Sequence, residues 1–367
     1  MKIAMLGHKR IPSREGGIEI VVDELSTRMV AAGHSVTAFN RKGKHVSGGK
    51  VQRVKEYRGV KVVEIPTIDR KGLAAFSSAF FASIRAGIGD FDVVHIHAEG
   101  PAFFSFIPKL LGKKVVVTIH GLDWQRAKWG GFASWVIRTG EKNAVKYADE
   151  IIVLSWGVKE YFRKQYGREA VFIPNGVNRP EKREAQEIKK WGLIKDSYIL
   201  FLGRIVPEKG EHYLIEAFRR IETEKKLVIA GGISDTAGYG RELKELAEGD
   251  ERIVFTGFVQ GRLLEELYSN SYIYCLPSDL EGMPLSLLEA MSYGNCCLVS
   301  DIEECTEVVE DKAVTFRRSD VDDLKMKLEE LVNVKDKVEK YKSEATDFIC
   351  LKYNWDDVAE KTLRIYK

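Results

Sequence analysis

In "DLEGMPLSLLEAMSYG", residues 279 to 294, two carboxylates, Glu281 and Glu289, lie eight residues apart across a Gly-Met-Pro break. Pro284 suits the first helical position, where its missing N–H and fixed φ cost nothing. From there the run reads as a short apolar helix ended by Gly294. Glu281 then stands just before the helix and Glu289 between one and two turns inside, so both can line one rim. "FLGRIVPEKGEHYLIEAF" places Arg204 and Lys209 five residues apart between a strand and a helix. An Arg fork and a Lys point charge converging there make a clamp for a diphosphate. Near the start, "GHKRIPSREGGIEI" sets Gly16 and Gly17 directly before a helix, where bare backbone and a positive dipole end suit a phosphate. It is neither a G-x-G-x-x-G nor a Walker loop. His120 follows a strand, with Asp123 three residues on. Taken singly, each also reads as a plain turn, a solvated acid or a structural histidine. The pair His95 and His97 sits at period two on one strand face, and with no third ligand placed nearby it reads as a packed strand rather than a metal site.

The elements that must position these residues are legible as alternation. "KIAML", "HSVTAFN", "VKVVEIP", "FDVVHIH", "KKVVVTIHG", "DEIIVLS" and "AVFIPNGV" are β-rich apolar runs separated by helical stretches. After the polar stretch "NRPEKREAQEIKKWGLIKDS" the pattern restarts with "YILFLGR", "KLVIAGG", "RIVFTGF", "YIYCLPS", "NCCLVSD" and "AVTF". This predicts an α/β protein of two doubly wound, Rossmann-like domains with parallel sheets buried on both faces. The expected bounds are residues 1–178 and 190–350, with a terminal helix at about 354–367 crossing back to the first. Ligands of such sheets bind beyond the carboxyl ends of the strands, where the residues singled out above stand, His95 and His97 apart.

A chain of 367 residues, 44% apolar and 30% charged, is an ordinary globular composition with room for two cores. No apolar run approaches the ~20 residues of a membrane span. The five cysteines form no C-x-x-C pair, so a reduced, cytoplasmic chain is expected. The net charge of +3 hides a division: residues 1–180 hold 29 Lys and Arg against 16 Asp and Glu, and the remainder 28 against 38. The basic first half points to an anionic partner. No nucleic-acid motif is present, so a membrane face is favoured.

Together "REGGIE", "TIHG", "IPNGV", "GRIVPEKG" and "EGMPLSLLEA", an E-x7-E motif, resemble the retaining glycosyltransferases of family 4 with the GT-B fold. The resemblance spans essentially the whole chain. The first-domain run from "GHKRIPSREGG" onward is further similar to bacterial rhamnosyl- and related transferases of cell-envelope polysaccharides. The resemblance implies two facing domains with a cleft between them. It implies that Glu281 reaches donor-sugar hydroxyls and Glu289 the ribose, while the N–H groups of Gly282, Met283 and Leu285 meet the distal phosphate. Arg204 and Lys209 would hold the diphosphate, Gly16 and Gly17 would close over it, and His120 would contact the sugar near the reacting carbon. Arg14 and Asp123 are placed on the acceptor side, the loop with Lys9, Arg10 and Arg14 shaping donor or acceptor choice. The family's usual aromatic after Glu-Gly is Met283 here.

With cations supplied by the protein, the resemblance implies no metal and no cofactor. The D-x-D strings Asp90/Asp92 and Asp320/Asp322 read as a strand start and a helix cap. The expected partners are a nucleoside-diphosphate sugar, a saccharide or lipid-linked acceptor, and an anionic membrane touched peripherally through 73–85 and 128–138. A nucleotide-sugar 2-epimerase on the same fold, or a binding protein without turnover, are the alternatives.

Overall fold

The computed structural model describes residues 1–43, 53–68, 70, 73–125, 130–232 and 237–367. The chain divides into two units, Met1–Asn175 with Trp355–Lys367, and Gly176–Asn354.

The first unit is built on strands β1 (Lys2–Leu6), β2 (Ser35–Arg41), β3 (Glu56–Tyr57), β4 (Val60–Ile65), β5 (Val93–His97), β6 (Lys114–Ile119), β7 (Glu150–Val153) and β8 (Val171–Phe172). They lie in the order β3-β4-β2-β1-β5-β6-β7-β8. Helices α1 (Gly17–Ala31), α2 (Leu73–Ile88), α3 (Glu99–Ala102), α4 (Phe106–Leu110), α5 (Gly131–Tyr147) and α6 (Trp156–Tyr166) connect them. Because parallel strands are covered on both faces, they read as unbroken apolar runs; every residue of β5 is buried, as is β6 after Lys114. One strand departs from the all-parallel expectation. β3 pairs antiparallel with β4 through a turn at Arg58-Gly59, both at positive φ, the turn type whose twist suits a hairpin. Two residues are too few to show as a period in sequence.

The second unit's sheet comprises β9 (Tyr198–Leu202), β10 (Lys226–Ala230), β11 (Ile253–Gly257), β12 (Ile273–Leu276), β13 (Cys296–Ser300) and β14 (Val314–Phe316). The order is β11-β10-β9-β12-β13-β14, all parallel. Counted within the unit this is 3-2-1-4-5-6, the doubly wound nucleotide-binding arrangement. Its helices are α7 (Glu211–Arg219), α8 (Ala237–Leu246), α9 (Arg262–Asn270), α10 (Leu285–Ser292), α11 (Glu303–Val309), α12 (Val321–Asn333) and α13 (Lys335–Lys352). Cys275, Cys296, Cys297 and Cys305 are buried thiols whose pKa burial pushes up; they pack as small apolar residues.

The last helix, α14 (Trp355–Ile365), returns to the first unit, where it packs on α1. The Arg28 guanidinium meets Asp356 at 2.6 Å, and the Tyr366 hydroxyl lies 2.5 Å from His95 Nδ1.

In each sheet the strand order reverses direction at one place, between β1 and β5 and between β9 and β12. A crevice opens at such a point, because consecutive crossovers leave on opposite faces. Each crevice is floored by a glycine. Gly7, at φ +106°, passes so close to β5 that a Cβ would stand 2.1 Å from the His97 carbonyl oxygen. Gly210, at φ +71°, is held equally close to the Pro277 carbonyl, again 2.1 Å from a built Cβ. Only glycine fits a left-handed backbone pressed against another chain segment.

Candidate functional site

At the β9/β12 reversal the loop after β9 meets the loop after β12. Lys209 Nζ donates to Glu281 Oε1 at 2.6 Å, although 72 residues separate them. The Ser278 hydroxyl donates to the same oxygen, also at 2.6 Å. Lys209 and Glu281 side chains are only 12% and 7% exposed, so this is an ion pair at the floor of the crevice rather than a surface contact. Backbone bonds knit the loops together, Asp279 N–H donating to the Glu208 carbonyl at 2.9 Å. Behind Lys209, the carboxyl of Glu211 is fully buried; it accepts from the Tyr239 hydroxyl at 3.1 Å and the Val206 N–H at 3.4 Å. Burial raises its pKa to about 8. Arg204, half-buried on the same loop, has no carboxylate partner among the described residues.

Helix α10 begins one residue later than expected. Pro284 is its N-cap rather than its first helical residue, with an extended ψ of 97°, and its carbonyl accepts from Leu287 and Leu288. Gly282, Met283 and Pro284, the chain that leads into the helix, are buried. Leu285 opens the helix, and its N–H has no intrahelical acceptor, the ordinary state of a first turn. Glu289 sits on the second turn, half-buried, with the Tyr268 hydroxyl 3.3 Å from its Oε2. Gly294, at φ +77°, follows the C-cap.

In the first unit Gly16 is the N-cap of α1 and Gly17 its first residue. Glu19 folds back over this terminus: its Oε2 lies 2.5 Å from where a Gly16 Cβ would be, and its Oε1 accepts the Lys9 N–H at 2.7 Å. The preceding loop is less basic than its sequence. Arg10 is buried against Glu15, Nε 3.8 Å from Oε1, so one of its three cations is balanced internally; Arg14 is half-buried. His8, also in this loop, is buried with Nε2 3.0 Å from Asn40 Oδ1, and burial lowers its pKa to about 4.

His120 stands at the end of β6, its Nε2 3.0 Å from His97 Nδ1. His97 in turn stacks on His95, ring centroids 4.2 Å apart. The two β5 histidines do face one side of the strand, and both are fully buried. Burial drives the His97 pKa well down and takes His95 to about 3. Asp123 opens a short 3-10 turn, and its N–H donates to Glu99 Oε2 at 2.8 Å. Of the two D-x-D strings, Asp90 pairs with Lys2 and Asp92 accepts the Lys2 N–H at 2.7 Å, just before β5. Asp320 caps α12, accepting from Asp323 N–H at 2.9 Å.

Three parts of these sites were not found in the sequence: Glu99, Glu141, and the His97–His120 bond. The signal was available for one of them. A histidine at the end of one strand, beside a second strand that is followed directly by a histidine, can meet it once the two strands pair, as β5 and β6 do.

The apolar stretch 73–85 and the described part of 128–138 join on one aromatic surface; Lys128 and Trp129 lie outside the described residues. Phe76 and Phe80 of α2 pack on Phe104, with centroids 4.8 and 5.3 Å apart. Phe103 packs on Trp135 of α5 at 5.7 Å, and Trp135 stacks on Phe132 at 5.9 Å. Phe132 is 67% exposed and Trp135 55%. No described helix is long and apolar enough to cross a membrane.

Two doubly wound sheets in one chain, each with its polar loops at the carboxyl strand ends, define the GT-B class. The family description "Glycosyltransferase Family 4" matches residues 15–179, and "Glycosyl transferases group 1" matches residues 183–348. An uncharacterised glycosyltransferase of Methanocaldococcus jannaschii is 25% identical, covering 100% of this chain and 98% of that protein. The phosphatidyl-myo-inositol mannosyltransferase of Mycobacterium leprae is 25% identical over 96% of this chain and 93% of its own. Among solved structures, sucrose-phosphate synthase from Thermosynechococcus elongatus superposes with a TM-score of 0.83 at 20% identity, covering 100% of this chain and 98% of that one. Anabaena HepE in complex with UDP and glucose gives 0.81 at 15%, covering 99% and 98%. The chain belongs to the group 1, family-4-type glycosyltransferases of the GT-B fold, enzymes that use nucleotide sugars.

Proposed function

We propose that this enzyme is a retaining, metal-independent transferase. It moves a hexose-type sugar from a uridine- or thymidine-diphosphate sugar to a saccharide or lipid-linked acceptor of the cell envelope. The observation that carries the reading is the Lys209–Glu281 pair at the β9/β12 reversal, beside the N-terminus of α10. Breaking a glycosyl phosphate bond builds negative charge on the leaving diphosphate, and a fixed cation with a helix terminus lowers that barrier most. Lys209 and Arg204 take the diphosphate, Glu281 the sugar hydroxyls and Glu289 the ribose. In the first unit Gly16 and Gly17 serve the phosphates and His120 the sugar. The anomeric carbon–oxygen bond to phosphate breaks as the acceptor oxygen bonds to the same face of that carbon. The acceptor's proton passes to the departing phosphate oxygen. The HepE complex with UDP and glucose supports the donor class.

The test is calorimetric binding of UDP, GDP, dTDP and ADP, with and without EDTA. Selective binding of UDP or dTDP, unchanged by EDTA, is the expected result; binding of none removes the reading. Sugar release from the donor with no acceptor turnover would point instead to the 2-epimerase.

The acceptor side of the reading rests on the basic first half and the exposed Phe132–Trp135 surface, which suit an anionic bilayer into which aromatic rings insert. The protein is expected to sediment with phosphatidylglycerol vesicles at low salt and to be released by salt. Phe132→Ser with Trp135→Ser should weaken this several-fold without changing nucleotide binding. Failure of the wild type to sediment sinks the membrane assignment.

A further inference from the structure

Behind the loop that carries His120 and Asp123 lies a pair of buried acids that the reaction scheme leaves unused. Glu99 opens α3 immediately after β5 and is fully buried; Glu141 lies on α5 with 1% exposure. The two elements press together here: a Cβ on Gly140, next to Glu141, would stand 1.9 Å from the Glu99 backbone oxygen. Two ionised carboxylates buried side by side repel one another in a low dielectric, so one of the pair is held as the neutral acid.

The surrounding donors decide which acid carries the proton. Glu141 accepts from three: Tyr161 hydroxyl at 2.9 Å, Tyr166 hydroxyl on the same oxygen, and Trp124 Nε1–H at 3.1 Å on the other. Glu99 accepts from one, the Asp123 N–H at 2.8 Å on Oε2. Its Oε1 is buried with no donor at all. A carboxylate oxygen in that position would be a desolvated acceptor at full cost. As a carboxylic acid O–H it is a donor, and the neighbouring Glu141 is its acceptor. Burial, with the charges of Asp123 and Glu141, raises the Glu99 pKa to about 11.

We propose that Glu99 is a positioning residue held as the neutral acid, clamping the loop after β6 between β5 and α5. One end of its carboxyl donates to Glu141 and the other accepts from Asp123, so the loop that begins at His120 is tied to the sheet twice: by His97 to His120 and by Glu99 to Asp123. A neutral acid suits this place because it offers a donor and an acceptor on one rigid plane. An ionised one would offer two acceptors beside two other acids. The functional half of the inference rests on the assignment of His120 to the donor sugar; the protonation half does not.

The distinguishing variant is Glu99→Gln, which keeps the shape, the acceptor and a donor while removing any possibility of charge. Against it stand Glu99→Leu, which keeps volume but no hydrogen bond, and Glu99→Asp, which keeps the acid but shortens the reach. In infrared difference spectra at neutral pH, wild type minus Glu99→Gln should show the carbonyl stretch of one buried carboxylic acid. Amide exchange of residues 120–125 should be unchanged in Glu99→Gln and at least tenfold faster in Glu99→Leu. Sugar transfer, assayed with the donor identified above, should retain kcat within about twofold in Glu99→Gln. It should fall by tenfold or more in Glu99→Leu and Glu99→Asp, with affinity for UDP or dTDP unaltered in all three. A Glu99→Gln variant as damaged as Glu99→Leu, or a spectrum without the acid band, overturns the proposal. An acid band and preserved exchange in an enzyme that transfers no sugar would retain the clamp and reject the transferase reading instead.

Discussion

Lys209→Met is expected to lower kcat by roughly 10²–10³-fold, the scale seen when one preorganised group at a developing negative charge is removed. It is also expected to lower the stability of the second unit, for a separate reason. Glu281 and Lys209 are both nearly buried, and deleting one partner of such a pair leaves the other charged and desolvated, at a cost of up to about 3–5 kcal/mol. Among the described residues, the Ser278 hydroxyl alone would still donate to the Glu281 carboxylate. The two effects separate in a double variant. Adding Glu281→Gln to Lys209→Met removes the stranded charge while keeping an oxygen for Ser278 to donate to, so the melting temperature should recover. Turnover should not. Recovery of turnover in the double variant would mean that Lys209 serves the fold through Glu281 and has no part in the chemistry.

Glu289→Ala should weaken nucleoside diphosphate binding by about tenfold to a hundredfold, the range for a hydrogen bond to a charged group, ~1.5–3 kcal/mol. Calorimetry with paired ligands makes the assignment specific. The wild type should prefer UDP to its 2′,3′-dideoxy analogue by that factor, and the variant should bind the two alike. An equal loss for both ligands would place Glu289 away from the ribose. The fold should tolerate the change, because Glu289 is half-buried and its neighbour Tyr268 keeps a second acceptor in the Ser286 carbonyl at 3.3 Å.

The strands were legible because parallel sheets are buried on both faces. "NCCLVSD" and "FDVVHIH" contain β13 and β5, strands without a single exposed residue. β3 was not legible, because two residues carry no period. Pro284 was misplaced by one residue because proline is at home both as a first helical residue and in the extended backbone before one. In the site, the individual groups could be named from sequence but their company could not. Lys209 meets Glu281 only because β12 lies beside β9, a fact of strand order that no local pattern encodes. Glu99 and Glu141 were passed over for a related reason: an acid in a helix looks like solvent-facing charge until the neighbouring strand and the two tyrosines are placed around it. Arg10 misled in the same way, since its charge counts toward a basic loop in sequence and is cancelled by Glu15 in space.

The return of α14 to the first unit gives the chain a biosynthetic asymmetry. His95, at the centre of the first sheet, has its Nδ1 satisfied by a hydroxyl 271 positions downstream. During translation the second unit, contiguous from Gly176 to Asn354, is complete before the first has its final helix. The first-made half of the protein is therefore the last to be finished. Until α14 has been made, the first unit waits with a bare flank on α1 and with the Nδ1 of His95 lacking its hydroxyl, while its Nε2 is already held by the Thr118 hydroxyl at 2.7 Å.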